Sequence, residues 1–177
     1  MFTFLLGGVR SGKTTLATDI ARRHGGSVTY LATAPRISGD ADLAGRIENH
    51  RAERPGHWVT VEEELAVSTE IEAAESDVVV VDCLTTWVAN QLHHGAGHEE
   101  ICAAASAAAA ACARSSGHVV AVSNEVGMGI HPTGDLGRRY RDLLGWVNQE
   151  FAGHADQSLL LVAGRALPLT DPWTHLP

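Results

Sequence analysis

The chain has 177 residues, 45% hydrophobic and 19% charged, which suits one globular domain with a sizeable core. Its formal net charge of −8, with Lys13 the only lysine and no basic run, excludes a nucleic-acid binder that works through many phosphate contacts. No apolar run reaches the roughly 18 residues of a membrane span, the first residues read as a strand rather than a signal peptide, and Cys83, Cys102 and Cys112 lack metal-ligand spacing, so reduced thiols and a cytoplasmic location without a membrane partner are expected.

The apolar run 2–6 predicts a strand. It leads directly into Gly7-Gly8-Val9-Arg10-Ser11-Gly12-Lys13-Thr14, which fits Gly, four residues, Gly-Lys-Ser/Thr. Residues 15–23 place Leu16, Ala17, Ile20 and Ala21 at helical spacing, and Gly25-Gly26 offers a glycine stop. Residues 28–32 predict a second strand, ended by Thr33-Ala34-Pro35. A helix is expected over 40–53, with Asp40 as N-cap and Pro55-Gly56 as its end. Residues 57–61 predict a short strand and 62–74 a helix.

The run 77–82, four valines between aspartates, predicts a central parallel strand buried on both faces. Helices follow over 84–92 and over the alanine-rich stretch 99–114, where alanine favours a helix that packs closely on a sheet. Residues 118–123 predict a strand, 124–134 a loop, 135–151 a helix and 158–163 the last strand. The end, 168–177, is expected to lie on the surface or fray. There is no internal repeat and no linker long enough to divide the chain, so residues 1–170 are expected to form a single catalytic core and 171–177 a tail. The alternation predicts an α/β fold with a mostly parallel sheet covered on both faces. Ligands in such folds sit at the carboxyl edge of the strands. That gathers Gly7 to Thr14, Ala32-Thr33-Ala34, Asp82 and Ser123-Asn124-Glu125 into one site.

The glycines of the first loop let several backbone N–H groups converge on a phosphate chain, aided by the positive end of the next helix. Lys13 is expected to reach the β/γ-phosphates and Thr14 to ligate Mg²⁺. Asp82, at the end of the valine run, has the place of a Walker-B carboxylate that shares this cation; capping of the next helix is the alternative. On the helix expected over 40–53, Arg46, His50 and Arg54 share one face. Two arginines disfavour the imidazolium form of His50 and attract polyphosphate, which would leave a neutral ring able to attack phosphorus. The competing reading is a solvated face balanced by Glu48 and Glu53. Arg138, Arg139 and Arg141 are read as phosphate contacts, partner contacts or a solvated helix face. His93, His94 and His98 form at most a surface metal trap.

These residues and their order resemble the bifunctional adenosylcobinamide kinase/adenosylcobinamide-phosphate guanylyltransferase family of cobalamin biosynthesis. The stretches that carry the resemblance are Gly7 to Thr14, Tyr30 to Ala34, Arg46-Ile47-Glu48-Asn49-His50-Arg51, Arg54-Pro55-Gly56-His57-Trp58, Asp82-Cys83-Leu84-Thr85-Thr86, Ser123 to Ile130 and Tyr140 to Gln149. The resemblance implies a RecA-like P-loop fold, a homotrimer and two reactions. ATP or GTP phosphorylates adenosylcobinamide; then GMP from GTP passes through an enzyme histidine to the phosphorylated corrinoid, with release of pyrophosphate. By position it makes His50 the guanylylated residue. It assigns nucleotide contacts to Gly7, Gly8, Val9, Arg10, Ser11, Gly12, Lys13 and Thr14, to Ala32, Thr33 and Ala34, to Arg51, Ala52, Glu53 and Arg54, and to Glu62 and Asp82. A kinase without the guanylyl step is the alternative. Some members carry two adjacent histidines where Asn49-His50 stands, and some carry Glu at the place of Asp82; residues 171–177 find no match.

Overall fold

The structure is a computed structural model and describes residues 1–35, 51 and 54–176. Seven strands form one sheet: β1 (Phe2–Gly7), β2 (Val28–Ala32), β3 (Val59–Glu62), β4 (Val78–Asp82), β5 (His118–Asn124), β6 (Gln157–Val162) and β7 (Arg165–Leu169). Their order is β3-β2-β4-β5-β1-β6-β7. Every pairing is parallel except β6 with β7. The α-helices among the described residues include α1 (Lys13–His24), α2 (Val67–Ala73), α3 (Leu84–His93), α4 (His98–Arg114) and α5 (Asp135–His154). This is the mostly parallel α/β arrangement that the sequence predicts.

Alternation along the strands divides the core. Phe2, Phe4, Val79, Val81, Val119 and Ala121 face α2 to α5. Leu5, Tyr30, Val78, Val80, Val120 and Val122 face α1. The valine run is therefore buried on both faces, as a central parallel strand requires. Phe151 of α5 packs its ring 6.1 Å from both Phe2 and Phe4. The alanines of α4 lie in one buried cluster with the sheet residues Val79, Val81 and Val119, and they also let the helix approach α2 and α5 closely.

Two elements depart from the sequence reading. The helix expected over 62–74 begins only at Val67. Glu62 closes β3 opposite Ala32. The Glu63 carboxylate then accepts the N–H groups of Leu65 (2.7 Å) and Ala66 (2.8 Å), a local turn that competes with helix. Those N–H groups hold its pKa below the usual carboxylate value.

The second departure is the tail. Residues 165–169 form β7, with Pro168 opposite Leu159. A strand at the sheet edge tolerates a proline that donates no ladder bond. The turn is the pair Ala163 (φ 50°) and Gly164 (φ 72°), the positive-φ geometry of a two-residue hairpin. Beyond it, the Asp171 carboxylate caps a short turn by accepting the Trp173 N–H at 2.9 Å.

Candidate active site at the carboxyl edge of the sheet

Strand register brings the expected site residues to one edge. Ala32 lies opposite both Glu62 and Asp82, and Asp82 lies opposite Val122. Gly7 lies opposite Asn124 on one side and Leu161 on the other. The Glu125 N–H donates to the Gly7 carbonyl at 3.0 Å, so the segment after β5 is tied to the root of the phosphate loop.

The loop wraps its own lysine. Lys13 is buried and donates from Nζ to the carbonyls of Gly7 (2.9 Å) and Gly8 (2.7 Å) and to Ser11 Oγ (3.3 Å). Desolvation lowers its pKa, and electrostatic interaction with Cys83 and Asp82 opposes that shift. Gly12, the N-cap of α1, has φ 98°, a conformation that strains any residue with a Cβ. At Gly7 a Cβ would collide with the Leu161 carbonyl oxygen. The Gly164 N–H donates to Ser11 O at 3.0 Å, so the β6–β7 turn supports the loop from below. Gly8, Val9 and Arg10 are exposed, while Thr14 is half-buried at the first turn of α1.

Asp82 faces the same side as Lys13. The hydroxyl of buried Tyr30 donates to its Oδ2. Desolvation, then the charge of Asp82, raises the Tyr30 pKa far enough that the phenol stays a donor. The guanidinium of Arg54 stacks 3.5 Å above the Tyr30 ring, a cation–π contact. Arg54 Nε is buried and has no hydrogen-bond partner among the described residues. The N-cap of α3 is Cys83, so Asp82 is engaged by Tyr30 rather than in capping that helix.

The loop after β2 is locked to the end of β4. Thr33 Oγ1 donates to Cys83 O at 2.7 Å and accepts the Cys83 N–H at 2.9 Å. On the opposite face of the sheet, Thr85 Oγ1 accepts the Asn124 N–H (2.8 Å), Thr85 O accepts the Tyr140 hydroxyl (3.1 Å), and Asn148 Nδ2 donates to Asn124 O (3.0 Å). These braces join α3, α5 and β5. Sequence reasoning singled out none of them, nor the Tyr30–Asp82 pair.

The matches to known proteins agree with this geometry. The family model described as CobU, Cobinamide kinase / cobinamide phosphate guanyltransferase, matches residues 3–169. The chain belongs to this family. The Pseudomonas aeruginosa bifunctional adenosylcobalamin biosynthesis protein CobP is 39% identical over 171 residues, covering 96% of this chain and 97% of that protein. The proteins named CobU from Escherichia coli and Salmonella typhimurium are 37% and 38% identical, each match covering 93% of this chain and 97% of theirs. Among solved structures, a prototypical ATPase from the type III secretion system of pathogenic bacteria superposes with a TM-score of 0.53 at 12% identity, over 91% of this chain and 51% of that one. That chain is about twice as long, and the likeness concerns the fold alone.

For this member of the family, the structure joins Gly7 to Thr14, Ala32, Thr33, Ala34, Glu62 and Asp82 at one edge and adds Arg54 through Tyr30. Arg51 is exposed. Arg46, His50, Ala52 and Glu53 lie outside the described residues, as does the rest of the helix expected over 40–53. The arginines of α5 staple loops: Arg138 donates to Pro132 O (3.1 Å) and Thr133 O (2.7 Å), and Arg139 to Ala96 O (3.0 Å). No cluster of three or more His, Cys, Asp or Glu able to hold a metal occurs among the described residues, so His93, His94 and His98 form no such trap. No helix among them is long and apolar enough to cross a membrane.

Proposed function

We propose that this chain carries out both reactions of its family: phosphorylation of the aminopropanol hydroxyl of adenosylcobinamide by ATP or GTP, then transfer of GMP from GTP to the phosphate so formed. The observation that carries this reading is the phosphate loop. Lys13 is preformed against the carbonyls of Gly7 and Gly8 on the Asp82 side of the carboxyl edge, in a chain that matches the family over residues 3–169.

In the first reaction the corrinoid hydroxyl attacks the γ-phosphorus and the nucleoside diphosphate leaves. Lys13 and the loop N–H groups would stabilise the charge that spreads over the phosphoryl oxygens. Thr14 and Asp82 offer oxygen donors that suit Mg²⁺, and a single carboxylate is what such sites use when substrate phosphates and water complete the shell. Its role would be to neutralise phosphate charge. The neutral Tyr30 hydroxyl fixes Oδ2 of Asp82 without adding a charge that would compete.

In the second reaction we assign the nucleophile to His50. Its ring nitrogen would attack the α-phosphorus, forming an N–P bond as pyrophosphate departs. A phosphate oxygen of the corrinoid would then attack that phosphorus, break the N–P bond and leave adenosylcobinamide-GDP. A homotrimer in the cytoplasm is part of the same proposal. The test is incubation with GTP labelled at the α-phosphorus. Label should stay on the denatured protein through base and be lost in acid, and His50→Ala should abolish it while phosphorylation of adenosylcobinamide persists. Normal labelling of His50→Ala would sink the assignment. A wild-type chain that phosphorylates the corrinoid but takes no label would reduce the reading to a kinase.

A further inference from the structure

The face of the sheet opposite α1 holds a cavity of about 900 Å³ between α3 and α5. Pro35, Ala89 and Leu92 supply apolar wall from one side, Leu136 and Tyr140 from the other. Two of the polar groups in its lining are satisfied elsewhere. Tyr140 donates to Thr85 O, and the Asn90 amide donates to Thr33 O (2.8 Å) and Glu64 O (3.2 Å). Leu136 is left 69% exposed on the lip, and Met128 and Ile130 in the preceding loop are exposed as well.

Charge decides what this cavity accepts. Among the described residues, no lysine or arginine lines it; Glu64 does, together with His93 and His94, and His94 Nε2 lies 3.9 Å from Glu64 Oε2. A nucleoside triphosphate would therefore find no permanent cation there. A large ligand with an apolar body, hydrogen-bonding edges and a positive charge would fit. An alkylcobalt corrinoid with carboxamide side chains has that chemistry, and the volume is in the range of pockets for sizeable small molecules. The floor of the cavity also adjoins the reaction centre. Thr86, which lines it, holds Oγ1 3.2 Å from Cys83 Sγ, and Cys83 follows Asp82. Asn90 reaches the Thr33 carbonyl in the loop expected to contact nucleotide.

We infer that this cavity is the corrinoid site: the macrocycle lies against the α3–α5 wall, and the aminopropanol arm crosses the sheet edge past Thr86 and Cys83 to the phosphates. The inference rests on the functional reading above and adds where the corrinoid sits.

The experiment is equilibrium dialysis of adenosylcobinamide against the full chain and two variants. Ala89→Arg puts a long cation at an exposed helical position on the wall, and Leu136→Asp puts a carboxylate on the lip. Self-labelling with GTP, in which the corrinoid takes no part, reports folding, and sedimentation reports assembly. Ala89→Arg should weaken adenosylcobinamide binding about tenfold or more, with Leu136→Asp altering it less, while labelling and assembly stay as in wild type. Unchanged affinity in both variants overturns the inference. So does weakened affinity that appears only together with altered assembly, because the face is then a contact between copies of the chain. A wild-type chain that binds no adenosylcobinamide overturns the functional reading and this site together.

Discussion

The two sides of the carboxyl edge are built on opposite plans. On the α1 side, the phosphate loop, Lys13, Asp82, Tyr30 and Arg54 form a dense set of directional contacts, with Lys13 buried among carbonyls. On the α3–α5 side lies an open cavity in which Asn90 and Tyr140 turn their polar groups away into braces. The difference follows from what each side must hold. A triphosphate is small and highly charged, and its transition state responds to each donor placed within hydrogen-bond reach. A bulky corrinoid needs area and shape, supplied by side chains of which few are individually decisive. Substitutions on the α1 side should therefore act on rate, and those on the cavity side on corrinoid affinity.

The sharpest way to break that contrast is Lys13→Ala. Loss of the central cation should lower both corrinoid phosphorylation and self-labelling by about 10²–10³-fold, the usual scale for removing one preorganised charge-stabilising donor. Adenosylcobinamide binding should hardly change. Rates of the two half-reactions, measured separately, check this. If only one falls, the two reactions use different nucleotide sites and the α1 side is not a single machine.

Asp82→Asn should come next, at about 10²-fold in the kinase rate at moderate Mg²⁺, with partial recovery as Mg²⁺ is raised, since the amide keeps the shape and loses the charge. An unchanged Mg²⁺ dependence would remove Asp82 from the cation's shell. Tyr30→Phe is a milder form of the same experiment. It keeps the ring under Arg54 and removes only the hydroxyl, so Asp82 loses its partner. A partner of a ligating carboxylate typically matters by about tenfold in metal affinity, and the lost hydrogen bond by about 1 kcal/mol in stability. Mg²⁺ titrations of activity and thermal melts separate the two effects. A lower melting temperature with no change in Mg²⁺ dependence would mean that Tyr30 only supports the fold.

The same contrast explains what could be read from the sequence. The phosphate loop and the valine run declare themselves because each is contiguous and each demands particular residue types. Tyr30 and Asp82 are 52 positions apart and meet only because β2 and β4 are neighbours in that register. The cavity draws on α3, α5 and the loops after β2 and β3, so no local pattern marks it. Strand β7 was hidden because its turn is Ala163-Gly164, without the Asn or Asp that usually signals a positive-φ pair. Glu63 delayed a helix whose apolar spacing looked continuous. The Arg46/His50/Arg54 face offers His50 either as a nucleophile or as part of a solvated surface, and the family resemblance favours the first.

The smallest expected effect is a proton. Lys13 is the only lysine, so a titration of lysine amines in this chain reports one side chain. Burial disfavours its charged form, and electrostatic interaction with Cys83 and Asp82 opposes the shift without cancelling it. The free chain should therefore lose this proton at a pH below the ordinary lysine value of 10.5. A bound triphosphate adds negative charge beside Nζ and should move the titration back up. The sign of the linkage follows: nucleotide binds the protonated lysine better, so GTP binding takes up a proton in the window between the two titrations. GTP affinity should then fall as pH rises through the free chain's value. NMR of the reductively ¹³C-methylated amine, with and without GTP, reads both titrations. Adenosylcobinamide, bound across the sheet edge without phosphates of its own, should shift this titration far less than GTP does. If it shifts it as much, the corrinoid contacts the lysine directly and the two sides of the edge form one pocket.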